Sequence, residues 1–243
     1  MIKFFWTIRK TLMEKHKTAQ YFKYAIGEIV LVVIGILIAL QLNNWNTDRI
    51  ARLEELKLLT EMHHNLESDL EDCIWNINKN LELHQSNSVV LRHLEEQTPL
   101  HDSLKLHYGN ILGTTTQRRN MSTYDHLKSK GIDLISNDSL RRDITALYSE
   151  RYYYIEKMEL QYDNQIQLNQ VLPQINEKVI IDNISKTGYP IDLESLQNDN
   201  AFKGVLRTNI YVRWFMAYRY KSLRTDIENL INKIKNELEV RNT

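Results

Sequence analysis

At 243 residues, with 31 basic and 31 acidic side chains, the chain can bury one good core but carries no overall charge to hold a polyanion. From Asn43 onward 25 bases face 29 acids, a mildly acidic balance that excludes nucleic acid as the partner of this part. Only 7 glycines and 3 prolines punctuate the sequence, so long helices are expected, and the lone Cys73 excludes an internal disulfide and reads as a small buried apolar residue.

The first 24 residues hold six bases (Lys3, Arg9, Lys10, Lys15, Lys17, Lys23) against Glu14. With Phe5, Ile8 and Leu12 on one side, they form an amphipathic segment suited to the inner membrane face. Next comes AIGEIVLVVIGILIALQL, Ala25 to Leu42. Its uncharged core, Ile29 to Leu40, is 12 residues long, too short alone to cross a bilayer, but Tyr24 to Trp45 makes 22 positions, enough at ~1.5 Å each to cover the ~30 Å hydrocarbon layer. Tyr21, Phe22, Tyr24 and Trp45 are then interfacial anchors. A cleaved signal peptide fits poorly because no small-residue cleavage pattern follows Leu40, and a soluble core helix fits poorly because Ile29 to Leu40 has no polar stripe. Residues 25–45 are therefore expected to be a transmembrane helix. Arg49, Arg52 and Lys57 are the only bases in the twenty residues after it, so the N-terminus is expected inside the cell.

Within the span, Gly27, Leu31, Gly35 and Ala39 recur every fourth residue, a stripe of mostly small side chains that lets a second helix approach. Glu28 lies beside it, an ionisable group that is costly in lipid and can reach the headgroups, pair with Lys23, stay protonated, or serve a partner helix or a proton role. The expected partners are thus the lipid bilayer and, through the span, a second copy or another membrane protein.

The run GEIVLVVIGILIALQLNNWN, Gly27 to Asn46, resembles the signature of an uncharacterised family of small single-span membrane proteins common in Bacteroidetes, and LKSKGIDLISNDSLRRDITALY, Leu127 to Tyr148, resembles that family's outer-domain motif. The resemblance implies an inner-membrane protein with a periplasmic domain, and no assigned activity. It also makes Asp102-Ser103-Leu104 and Asp138-Ser139-Leu140 similar to a short O-glycosylation sequon, although both equally resemble helix starts.

After the span, residues 46–243 read as one all-α domain, an irregular antiparallel bundle. Apolar residues from Leu53 to Leu94 recur every three or four positions, predicting a helix of nearly fifty residues that can continue the membrane helix unless Asn43, Asn44, Asn46 and Thr47 loosen the junction. Short helices are expected near 103–111 and 123–130, the second opened by a Ser122/Asp125 capping box and stopped by Gly131. Asn137 or Asp138 caps a longer helix that Pro173 breaks or kinks. Residues 174–200 are the least regular, and a last long helix covers 201–240.

Chemistry is sparse. Glu61 and His64 have a di-iron spacing, but no second such pair occurs, so both read as a solvated helix face, as do the other histidines. No nucleophile elbow, phosphate loop or dinucleotide fingerprint is present, and neither catalytic residues, nor a metal, nor a cofactor is expected. Arg118, Arg119, Arg141 and Arg142 either hold anions or pair with carboxylates. Consecutive Tyr152, Tyr153 and Tyr154 cannot all face one core, and Tyr211, Trp214, Phe215, Tyr218 and Tyr220 crowd the last helix, so some aromatics are exposed or at an interface. Leu58 and Leu83 are expected to be exposed on the first outer helix. Three functions stay open: a membrane-tethered interaction or scaffold protein, a sensing or accessory subunit of a membrane complex, and an enzyme. Sensing by the chain alone is disfavoured, since 24 inner residues hold no output domain.

Overall fold

Between Gly35 and Pro99 the sequence holds neither glycine nor proline, so nothing interrupts a helix there. The computed structural model, which describes residues 18–242, accordingly has a single first helix, α1 (Thr18–Glu95). The asparagines at 43, 44 and 46 do not loosen it, and the Thr47 hydroxyl bonds back to the Asn43 carbonyl at 3.0 Å. Gln97, with φ 51°, turns the chain away just before Pro99. The expected amphipathic segment lies, up to Lys17, outside the described residues.

The chain divides into Met1–Glu54 and Glu55–Thr243. In the first unit, one helix near the N-terminus is long and apolar enough to cross a membrane, and none of its most apolar 18-residue window is buried.

Among its described residues, the second unit consists of helices, their connections and one hairpin. After α2 (Leu104–Gly109) and α3 (Ser122–Lys130), Gly131 at φ 104° ends α3 as a glycine stop should. The expected capping box does not form: Ser122 Oγ donates instead to Asn120 Oδ1 at 2.7 Å, since Asn120 is itself fixed by bonds to Asp69 and Asn65. Asn137 caps the next helical run, accepting from the backbone of Ser139 and Leu140. That run, α4, extends from Asp138 to Lys178 and contains three π-helical turns, Leu147–Arg151, Met158–Asp163 and Gln167–Val171. Pro173 does not break it, because it falls in the first turn of the closing α-segment Leu172–Lys178, directly after a π turn has reset the hydrogen-bond register.

The segment read as irregular contains an antiparallel hairpin, β1 (Val179–Asn183) and β2 (Thr187–Pro190), in the register Val179↔Pro190 to Asn183↔Thr187. Its β2 backbone lies so close to α2 that a Cβ on Gly188 would meet Gly109 N at 2.9 Å, and one on Gly109 would meet Thr187 N at 2.7 Å. Only glycine fits at either position. The short α5 (Leu193–Gln197) leads to α6 (Asn200–Asn242).

Partners fix the directions of the long helices. Glu55 meets Ser136 and Asp69 meets Tyr152, so α4 runs alongside α1 in the same sense. Cys73 meets the Tyr220 carbonyl while His84 meets that of Ile210, so α6 runs against both. Two apolar clusters fill the bundle. One gathers Leu59, Met62 and Leu66 with Ile144, Tyr152, Val212 and Ile227, and the other gathers Val90, Leu94, Tyr108, Val171, Ile175, Phe202 and Leu206. Leu58 and Leu83, expected to be exposed, are both buried, Leu58 within the first cluster and Leu83 against Gly113 of the connection between α2 and α3.

Candidate functional site

The span residues singled out in the sequence stand in the first unit. A Cβ added to Gly27 or Gly35 would meet nothing within 4 Å, Leu31 is 68% exposed, Ala39 is exposed, and Glu28 is partly covered. Trp45 is exposed just after the apolar stretch, with the Arg49 guanidinium 5.9 Å from its ring.

Sequence reasoning missed a belt of buried polar side chains in the second unit, between the two apolar clusters. Its reason is the connection between α2 and α3. Residues 111–120 cross the bundle without regular structure, so their backbone groups need partners from elsewhere. The Ile111 carbonyl accepts from Asn87 and Asn209, that of Gly113 from Arg213 at 2.8 Å, and that of Thr115 from Tyr220 at 3.2 Å. Further along, backbone N–H groups take over: Gln117 donates to Glu159 at 2.8 Å, Arg118 to Asp72 at 2.7 Å, and Asn120 to Asp69 at 3.1 Å. Helix side chains thus clamp this strap, residue by residue, where a sheet would have used a neighbouring strand. On α1 the clamp reads Asp69, Asp72, Asn80 and Asn87, with Asn76 bonded to Asp72 between them, a helical spacing that was legible as a polar stripe but not as a buried one.

The π turns belong to the same device. Each inserts a residue and rotates the following face, and together they bring Tyr152, Glu159, Asp163 and Gln167 inward. At the centre Arg213, fully buried, bonds to Asp163, to Asn80 Oδ1 at 3.0 Å and to the Gly113 carbonyl. Burial pulls its guanidinium down to about 10. Burial also raises Glu159 and Asp69 above the usual carboxylate range, only partly offset by the donors around them, and lifts the Cys73 thiol to about 12. Raised carboxylates can mark catalytic acids. Here the Asp69 oxygens and Glu159 Oε1 already accept from the strap and from Tyr152 and Tyr220, at 2.6 and 2.8 Å, while Glu159 Oε2 is buried with no hydrogen-bond partner among the described residues.

Above Asp69 and Tyr152 lies an open groove of about 620 Å³, walled by Tyr124, Tyr148, Tyr152 and Tyr153 with Arg119, Lys128 and Glu156 at its edges. Tyr124 and Tyr148 stack at 4.6 Å, and the three consecutive tyrosines split, Tyr152 buried while Tyr153 and Tyr154 are exposed. Its cations are spent: Arg119 pairs with Glu156 at 3.1 Å and Lys128 with Asp125 at 2.8 Å. Arg118 and Arg141 are likewise paired, with Asp72 and with Asp138.

Among the histidines, His93 corrects the surface reading, being buried against the Tyr108 hydroxyl at 3.1 Å, with its pKa lowered by desolvation. His63 and His64 do have an acid at fixed offset, since both approach Glu67, at 3.5 and 3.2 Å, and the three ligand atoms lie within 4.8 Å of one another. Glu61, by contrast, pairs with Lys57 at 3.9 Å. Glu67 and His64 are open to solvent, where such pairs are ordinary helix-surface contacts.

The family described as a family of unknown function (DUF6090) matches residues 28–174, and the chain belongs to it. No curated protein matches, and no solved structure matches.

Proposed function

We propose that this protein is a membrane-anchored helical interaction protein of the bacterial inner membrane. Its span is residues 25–45, its basic N-terminal segment is cytoplasmic, its helical domain is periplasmic, and its role is non-catalytic. The carrying observation is the uncovered apolar helix. From Ile26 to Leu42 every large apolar side chain is between 46% and 68% exposed, whereas exposed aliphatic residues of the domain, such as Leu168 and Ile191, are scattered around an enclosed core that includes Leu59, Leu66 and Ile144. An apolar surface of that extent on all sides of a helix needs a solvent other than water, and a bilayer supplies it.

Within the bilayer, the stripe of Gly27, Leu31, Gly35 and Ala39 beside Glu28 is the face on which a second copy or another membrane protein packs, because close backbone approach replaces lipid contacts there. Two measurements test this. A reporter active only in the cytoplasm, fused after Thr243, stays silent, and strong signal refutes the orientation. Single-Cys crosslinking across the span in native membranes gives adducts that Gly35→Ile diminishes and Val33→Leu, on the opposite side, does not. Equal crosslinking in both, or none in either, removes the packing face.

A further inference from the structure

The last helix carries a surface that the strap and the span do not use. From Asn200 to Ser222, α6 contains five bases (Lys203, Arg207, Arg213, Arg219, Lys221) and no acid. Arg207 is spent on Glu95 at 2.6 Å and Arg213 on Asp163, but Arg219 and Lys221 make no ion pair among the described residues. Arg219 is held by rings instead. Its guanidinium lies 4.5 Å from the centre of Tyr154 and 5.5 Å from that of Phe215, it bonds to the Tyr154 hydroxyl, and its buried Nε has no partner.

From Phe215 the rings continue outward. Phe215 stacks on Tyr211 at 6.2 Å, Tyr211 meets Trp214 at 5.8 Å, and Trp214 lies nearly parallel to Tyr218 at 5.9 Å. Tyr211, Trp214 and Tyr218 are 52%, 49% and 54% exposed. Three neighbouring aromatics left half in water form a contiguous patch that a soluble surface does not ordinarily keep. Tyr, Trp and Arg are the residues that concentrate binding energy in protein interfaces, because they offer large rigid area and directed hydrogen bonds at small entropic cost.

We propose that this face of α6 docks an acidic segment of a partner protein, with apolar side chains laid across Tyr211, Trp214 and Tyr218 and a carboxylate placed at Arg219. Charge complementarity selects an acidic partner, since Arg219 and Lys221 make no ion pair among the described residues and the α6 carboxylate nearest them in the groove, Asp226, faces Arg151 at 3.6 Å. The inference deepens the interaction reading by naming the partner's chemistry. It fails independently of that reading, because the crosslinking reports on the span and this surface lies on the domain.

The experiment is a selection from a displayed random-peptide library on the full chain in lipid nanodiscs, followed by affinity measurement of the enriched peptides. Enriched sequences are expected to combine Asp or Glu with aromatic or aliphatic residues, to bind more weakly as salt rises, and to lose at least about tenfold in affinity on Trp214→Ala and on Arg219→Gln. Tyr153→Ala, an exposed tyrosine elsewhere on the domain, leaves the affinity unchanged, and circular dichroism confirms that each variant is folded. Enrichment of neutral or basic peptides, binding that survives both substitutions, or no enrichment overturns the proposal. So does adsorption to phosphatidylglycerol vesicles that the same two substitutions abolish, which would assign the patch to an anionic lipid surface.

Discussion

Two stretches of α1 differ in what surrounds them. Residues 29–40 are apolar on every side and stand open, while residues 55–95 alternate apolar and polar faces and bury both, the leucines in two clusters and the asparagines and aspartates in the belt between them. Hydrophobicity alone would rank the first stretch as core and the second as surface. What separates them is the supply of partners: the buried polar groups of the second have the strap's backbone to bind, and the open apolar groups of the first have no protein around them.

The largest expected effect breaks the domain and spares the span. Arg213→Met leaves Asp163 buried without its cation and should cost about 3–5 kcal/mol in urea unfolding followed by circular dichroism, with much of the loss recovered when Asp163→Leu is added. Leu37→Arg should do the reverse. A charge at the centre of a span costs about 2.5–3.5 kcal/mol of insertion, so the chain becomes extractable from membranes by alkaline carbonate while the domain's unfolding curve stays in place.

Asn137→Ala removes the two cap bonds that start α4 and should cost about 1 kcal/mol of domain stability, read from the same unfolding curves. Glu159→Gln gives the smallest shift and the sharpest test of the belt. Because burial raises the Glu159 pKa, the native state holds this proton at pH values where the unfolded chain has released it. Stability therefore falls as pH rises from the usual glutamate value through the raised one, and is regained on acidification across that window. The amide keeps an oxygen to accept from Gln117 and Tyr220. It should flatten this dependence while leaving stability at neutral pH equal or higher by under about 1 kcal/mol. A slope as steep as that of the unsubstituted protein would show that Glu159 is not the group titrating.

The apolar stretch, the helices and most of their ends are legible in the local sequence. Those features follow from local properties: hydropathy summed over a window, a period near 3.6, the absence of glycine and proline between residues 35 and 99, the Asn137 cap and the Gly131 stop. Exposure of some aromatics was legible too, since three consecutive tyrosines cannot share one face. Packing between distant segments is what makes Asp69, Asn80, Glu159 and Arg213 interior, seats Pro173 harmlessly after a π turn, pairs residues 179–190 as a hairpin, and covers Leu58 and Leu83. In each case a partner distant in the chain settles the matter. A buried Arg213 is tolerable because Asp163, Asn80 and the Gly113 carbonyl converge on it, and no period or propensity along one helix records what the other two helices and the strap bring to the same place.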